Sequence, residues 1–231
     1  MLALLGSGEY LPPVEPIDRA LLATLNAPRV ACLPTAAGRE SAQRVAYWSE
    51  LGVAHFTRLG AAAESVPVLD QRSAEDSTLA ERVRAANLIY LSGGDPNYLY
   101  QVLAGSRTWK AIEAVLAEGG VLAGCSAGAM VMGEHVFGFP GWKAGLGLLP
   151  GVAILPHYDE IGPFWVKAIR QVTNRKKLLI GIEGSTALVV DGSCWSVRGL
   201  GGVTVMGPKG QRRYADGEMI GVDDRRSIYP S

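Results

Sequence analysis

A serine lies between two glycines in the segment Gly124-Cys-Ser-Ala-Gly128, which follows a short apolar run and precedes a stretch that can begin a helix. This G-x-S-x-G pattern on a strand-turn-helix is typical of a nucleophile elbow. Ser126 would project above the sheet edge, and the N–H groups at the start of the helix would stabilise a developing oxyanion. The alternative is an ordinary glycine-rich turn in which Ser126 caps the helix. Cys125 is not centred between the glycines, and a buried, small side chain is its expected role.

A serine nucleophile needs a base, and the sequence offers His55, His135 and His157. His55 lies within an apolar run and is predicted to be packed in the core. His135 is predicted to be structural, at the far end of the helix that follows Ser126 or just after it. His157 comes after the predicted strand Val152–Leu155, at the sheet edge where open α/β folds bind ligands. His157 is therefore the preferred base, and a solvated loop histidine is the alternative.

Short apolar runs alternate with amphipathic stretches, which predicts parallel strands joined by crossover helices. The predicted strands are Leu2–Leu5, Val30–Leu33, Val53–Phe56, Leu88–Leu91 and Val121–Ala123, and the predicted helices are Ile17–Leu25, Ser41–Leu51, Ala74–Ala86, Trp109–Ala117 and Pro163–Val172. From Leu178 onward, short strands alternate with glycine-rich turns, and residues 207–210 suit a hairpin turn. The sequence predicts an α/β fold with a mostly parallel sheet flanked by helices and a C-terminal β-hairpin tail. We expect one domain over residues 1–231, of which 193–231 is the β-rich tail.

Composition excludes several classes of protein. The 231 residues are 48% apolar and 19% charged, which excludes a disordered chain. Lys plus Arg equals Asp plus Glu at 22, so no basic field favours nucleic acid. The three cysteines lie far apart and predict neither a disulfide framework nor a cysteine-rich zinc site. No apolar run approaches the roughly 20 residues of a membrane helix. We therefore expect a cytoplasmic protein with no nucleic-acid or membrane partner.

Four segments carry a resemblance to a known family. They occur in the order Leu91–Leu99, Ala123–Met130, Leu148–Asp159 and Ile180–Gly192. Together they resemble the successive motifs of the peptidase E and cyanophycinase family, a serine-nucleophile branch (peptidase S51) of the class I glutamine amidotransferase fold. The resemblance spans residues 88 to 192, and the order of the four motifs makes it far more specific than any one of them.

The resemblance implies a role for each matching residue. Ser126 attacks the substrate carbonyl, and His157 acts as base and acid. The N–H groups of Gly94 and Ala127 bind the substrate by forming the oxyanion hole. It also implies a homodimer. The third member of the triad departs from the family, because relatives usually carry an acid where this chain has Gly184.

Two carboxylates could replace the missing acid. Asp159 stands two residues after His157, and in an extended segment such residues face the same side. Glu183 lies one position before Gly184. We favour Asp159 over Glu183, with Glu134 as a weaker third candidate, and each has a solvated loop carboxylate as its alternative.

The resemblance also implies the reaction, which is hydrolysis of a peptide bond in small peptides, including N-terminal aspartyl peptides, without a metal or organic cofactor. Such substrates need a cation for their carboxylate, and Arg170 on the helix after His157 is a candidate, with a surface arginine as the alternative. Two other functions stay open: a cyanophycinase-like hydrolase that cuts an aspartyl-arginine polymer, and a catalytically weak binding protein that retains the fold.

Overall fold

The computed structural model describes residues 1–138, 141–172, 178–207 and 209–221, with only the backbone of residues 170–172. The helices of these residues are α1 (Glu15–Leu22), α2 (Ala42–Arg58), α3 (Gln71–Ala74), α4 (Ser77–Ala85), α5 (Pro96–Leu103), α6 (Arg107–Ala117), α7 (Ala127–Met130) and α8 (Pro163–Val172). The strands are β1 (Leu2–Leu5), β2 (Arg29–Leu33), β3 (Ala62–Ser65), β4 (Leu88–Leu91), β5 (Val121–Cys125), β6 (Gly133–Gly138), β7 (Gly141–Ala144), β8 (Leu149–Leu155), β9 (Leu178–Ile182), β10 (Thr186–Asp191), β11 (Cys194–Gly199), β12 (Gly202–Gly207) and β13 (Gly210–Ala215).

The first sheet has the strand order β11-β10-β1-β5-β4-β2-β3. The five neighbouring strands β1, β5, β4, β2 and β3 are parallel to one another. β10 pairs antiparallel with β1, and β11 pairs antiparallel with β10. β5 lies between β1 and β4, with Leu5 opposite Cys125 and Leu91 opposite Gly124. The carboxyl ends of these three strands therefore meet at one edge, and the loops that follow them are neighbours.

The second sheet has the order β13-β12-β9-β8-β6-β7, with β6, β8 and β9 parallel and the others antiparallel. The expected single, mostly parallel sheet is thus corrected to two mixed sheets. The predicted C-terminal hairpin exists as β12 and β13, but it extends the second sheet, and β11 extends the first. Pro208 and residues 222–231 of the predicted tail lie outside the described residues. One apolar cluster draws side chains from both sheets, including Leu4, Leu122, Ile154 and Val203.

The predicted strand Val53–Phe56 is wrong, because these residues form the second half of α2. Gly52, His55 and Phe56 are the buried residues of that helix, at the i, i+3, i+4 spacing of one helix face. A short apolar run does not distinguish a strand from a buried helical segment by its periodicity. Leu2–Leu5, Leu88–Leu91 and Pro163–Val172 match the observed bounds, and the other expected helices and strands overlap observed ones with shifted ends. β3, α5 and the β6–β7 hairpin were not predicted.

A buried polar pair connects α1 to α2. His55 Nε2 lies 2.8 Å from Asp18 Oδ2, and both side chains are almost completely buried. Arg58 donates to the other ring nitrogen at 3.3 Å, so the Nε2–H of His55 donates to Asp18. Burial raises the pKa of the Asp18 carboxyl, and the hydrogen bond from His55 opposes that shift. His55 is therefore a packed core residue, as expected, although it lies on a helix.

In the part of the chain that the structure describes, no helix has both the length and the hydropathy needed to cross a membrane.

Removal of one partner of the buried pair tests its contribution to stability. We expect Asp18→Ala to lower the free energy of unfolding by about 3 kcal/mol, because His55 is left with a buried donor and no acceptor. Chemical denaturation measures the change. Glu40→Ala, which removes an exposed ion pair to Arg44, is the control and should change stability only slightly. Equal stability of the two variants would contradict this account.

Candidate active site

The strand-turn-helix predicted around Ser126 is present, since β5 ends at Cys125 and α7 begins at Ala127. Ser126 has φ 51° and ψ −109°, a backbone conformation that few residues other than glycine adopt. Its N–H donates to the carbonyl of Leu5 at 3.0 Å, which fixes the turn to the end of β1. A Cβ on Gly124 would lie 2.5 Å from the backbone of Gly128, so the sharp turn requires glycine there.

His157 follows β8 and approaches Ser126. Its Nε2 lies 3.1 Å from Ser126 Oγ, within the hydrogen-bond range needed for proton transfer. The turn that carries His157 is attached to the end of β9, because the N–H of Tyr158 donates to the carbonyl of Ile182 at 3.1 Å. The structure thus places together a serine from the first sheet and a histidine from the second.

His135 lies elsewhere. α7 is a single turn, so His135 lies just after the Ser126 helix, on β6 in the second sheet. Its Nε2 lies 3.4 Å from Glu134 Oε1, and its ring lies near Trp142. These contacts belong to the β6–β7 hairpin.

Two backbone N–H groups beside Ser126 are available to an oxyanion. Gly94 and Ala127 have N–H groups without a hydrogen-bond partner among the residues described. Gly94 has φ +143°, and a Cβ there would lie 2.5 Å from the carbonyl oxygen of Ala36. The next residue, Asp95, donates its N–H to that same oxygen at 2.9 Å and accepts hydrogen bonds from the first N–H groups of α5. The loop is therefore held firmly, with glycine required at position 94.

The candidate acids make hydrogen bonds away from the imidazole. Asp159 Oδ1 accepts the N–H of Gly184 at 2.8 Å, which ties the His157 turn to the loop after β9. Glu183 accepts two hydrogen bonds from Arg213, at 2.6 and 2.7 Å, and one from the N–H of Gly202. The hydrogen bond from Arg213 holds the pKa of Glu183 below its usual range. Glu134 accepts the N–H of Gly151.

A carboxylate that the sequence analysis did not consider faces His157. Glu160 Oε1 lies 3.6 Å from His157 Nδ1, and the Glu160 side chain is 69% exposed. The N–H of Glu160 donates to the carbonyl of His157 at 2.9 Å, in a turn where His157 has φ 51°. This turn returns residue i+3 towards the ring, whereas the prediction assumed an extended segment in which residue i+2 would do so.

The thiol of Cys125, next to Ser126 in the chain, is not suited to act as a nucleophile. Cys125 is buried, and burial followed by the nearby Glu9 carboxylate raises the pKa of its thiol well above the usual value. The Sγ–H donates to Glu9 Oε2 at 3.0 Å. Cys125 is therefore a neutral hydrogen-bond donor. Because the thiolate is the reactive form of cysteine, the neutral thiol is unreactive.

Two arginines are candidate cations for binding a substrate carboxylate. The Arg170 backbone lies in α8, and its side chain is outside the described part of the chain. Arg213 is committed to Glu183. Among the described residues, no cluster of His, Cys, Asp and Glu could hold a metal ion.

Comparison with known proteins gives consistent matches. Residues 2–197 match peptidase family S51. Cyanophycinases from Trichormus variabilis and from a Nostoc species are each 31% identical to this chain over 169 residues. The aligned region covers 66% of this chain and 56% of each cyanophycinase, so the chain spans little more than half the length of these relatives.

Two solved structures are also similar. A peptidase from an acI-B1 Actinobacterium superimposes with a TM-score of 0.87 at 36% identity, covering 95% of this chain and 96% of that one. A candidate peptidase E from Listeria monocytogenes superimposes with a TM-score of 0.63 at 21% identity, covering 86% and 98%. The second likeness shows a shared fold alone.

The close approach of Gly94 to Ala36 generates a test of the oxyanion hole. We expect Gly94→Ala to slow the modification of Ser126 by a fluorophosphonate about 10²-fold, because the added methyl group moves the Gly94 N–H away from the reacting oxygen. The rate of adduct formation, followed by mass spectrometry, measures the loss. Gly105→Ala is the matched control, since Gly105 also has a positive φ but has open space at its Cβ position. A similar loss in both variants would attribute the effect to backbone conformation and not to the oxyanion hole.

Proposed function

The chain belongs to peptidase family S51, and on that premise we propose that it is a serine-type peptidase that hydrolyses a peptide bond in small peptides. The single observation that supports this activity most directly is the 3.1 Å approach of His157 Nε2 to Ser126 Oγ at a nucleophile elbow. A serine hydroxyl becomes nucleophilic when an adjacent imidazole accepts its proton.

The reaction follows from the positions of these groups. Ser126 Oγ attacks the carbonyl carbon of the scissile bond while its proton passes to His157 Nε2. The N–H groups of Gly94 and Ala127 donate to the resulting oxyanion. His157 then returns the proton to the leaving amine, which leaves an acyl group on Ser126. Attack by water, with His157 again as base, releases the acid product and restores the serine.

Asp159, which the sequence analysis favoured as the acid, is proposed to position His157 through the turn that carries it. Its contact with Gly184 N–H fixes the turn that carries His157 to the end of β9, so it can set the position of the imidazole. Glu160 is the competing candidate because its carboxylate faces His157 Nδ1. Its side chain is mostly exposed, and exposed charge pairs in water contribute little.

The proposed substrates are small peptides, including those with an N-terminal aspartate. The protein that acts on them is proposed to be a cytoplasmic homodimer. A second candidate is a cyanophycinase-like hydrolase, favoured by the two cyanophycinase relatives. Aspartyl dipeptides, other dipeptides and β-linked aspartyl-arginine substrates, assayed side by side, discriminate the two. Ser126-dependent turnover of any of them would refute the idea of an inactive binding protein.

The identity of the nucleophile is tested by active-site labelling. We expect a fluorophosphonate to add to Ser126 of the wild-type protein, because His157 activates that hydroxyl, and peptide mass spectrometry locates the adduct. Ser126→Ala should not be labelled. Persistent labelling of that variant at another residue would sink the assignment, and Cys125→Ala serves as a control for the adjacent thiol.

The acid is tested by comparing three variants on whichever substrate proves active. We expect Asp159→Ala to lose far more turnover than Glu183→Ala, by a factor on the order of 10², because its carboxylate holds the turn that positions the imidazole. The kcat of each variant, with circular dichroism as a check of folding, is the measurement. If Glu160→Ala shows the largest loss instead, Glu160 is the acid and the proposed role of Asp159 is wrong.

A further inference from the structure

Glu9 is a carboxylate beside the candidate site that the proposed reaction does not use. It lies in the loop after β1, and its Oε1 accepts the N–H of Gly93 at 3.0 Å. Its Oε2 accepts the Sγ–H of Cys125 at 3.0 Å. Gly93 directly precedes Gly94, which offers an N–H to the oxyanion. Cys125 directly precedes Ser126, the nucleophile. One carboxylate therefore connects the loop after β4 to the end of β5.

The Glu9 carboxylate lies close to Ser126, on the other side of Gly93. A methyl group built on Gly93 would lie 2.7 Å from Glu9 Oε1 and 3.6 Å from Ser126 Cβ. The carboxylate and the serine thus flank the same glycine, and the glycine has no room for a side chain between them.

The loop that carries Glu9 is fixed on both sides of it. Before Glu9, the N–H of Gly6 donates to Thr186, and the carbonyl of Ser7 accepts from Ser185. After Glu9, Tyr10 is buried with φ 63°, and its ring packs against those of Phe56 and Tyr90. A buried aromatic residue in this conformation holds the loop in one place, so Glu9 presents its oxygens to the two donors in a defined geometry.

We propose that Glu9 is a positioning residue for the reaction of Ser126, in which its carboxylate holds the Gly93–Gly94 segment in the orientation that the oxyanion hole requires. This inference rests on the proposed function. Both donors to Glu9 are neutral groups, an amide and a thiol. An uncharged acceptor at Oε1 can therefore replace the carboxylate in its contact with Gly93, whereas a side chain without an acceptor cannot.

The test compares Glu9→Gln with Glu9→Ala in the full-length protein. We expect Glu9→Ala to lower kcat about 10²-fold with KM changed less than about threefold, because oxyanion contacts act in the transition state and not on bound substrate. A peptide boronate, which forms a tetrahedral adduct on the serine, should lose affinity by a similar factor. Glu9→Gln should recover at least about tenfold of the lost kcat, since its amide oxygen accepts from Gly93.

Two further variants complete the design. Cys125→Ala removes the thiol donor but keeps the contact with Gly93, and its kcat should fall less than about fivefold. Glu118→Ala, at the C-terminus of α6, leaves activity unchanged as a control. If Glu9→Ala does not fold, Glu9→Asp takes its place, because it withdraws the carboxylate from Gly93.

Each outcome decides the proposal. Wild-type kcat and boronate affinity in Glu9→Ala would overturn it. An equal loss of kcat in Glu9→Ala and Glu9→Gln, with KM raised in both, would also overturn it. The Glu9 carboxylate would then bind a cationic group of the substrate. Failure of the proposed function has a different signature, since wild-type protein would then take up neither boronate nor fluorophosphonate at Ser126.

Discussion

The parallel pairing of β5 between β1 and β4 is the constraint on which the candidate site depends. Its register sets Leu5 beside Cys125 and Gly124 beside Leu91, so the three strands end together. The loops that leave these ends carry Glu9, Ser126 and Gly94, which are far apart in sequence and adjacent in space. The side chains on both faces of these strands are buried in apolar clusters, so a change of one residue in this register would exchange the two sets and disturb the packing on both faces.

His157 comes from the other sheet, and its position relative to Ser126 depends on how firmly the two sheets are joined. α7 is the short connection from β5 to β6, and its residues Ala127 and Ala129 are buried in the apolar cluster that includes both sheets. Packed interiors transmit displacement, because they have little free volume. The contact between Ser126 and His157 is therefore a property of the shared core as well as of the two loops.

Sequence patterns predicted the features that are encoded locally. The glycines around Ser126 predict the elbow, and most buried strands were identified because their apolar runs lie between glycines, prolines and polar residues. The family prediction was confirmed by the match over residues 2–197. The second sheet was not predicted, because short alternating strands do not indicate which sheet they join. Glu9 was also missed, since its partners lie 84 and 116 residues away in the chain.

Ser126 and His157 share a feature with an evolutionary consequence. Both have a φ of 51°, in the region where a side chain clashes with its own backbone. Such conformations cost on the order of 1–3 kcal/mol each and persist only where surrounding contacts enforce them. Glycine at either position would relieve that cost and remove the side chain that the proposed reaction uses. On the proposed mechanism, mutation to glycine would give a more stable chain without activity, so stability alone does not favour the two side chains that the reaction needs.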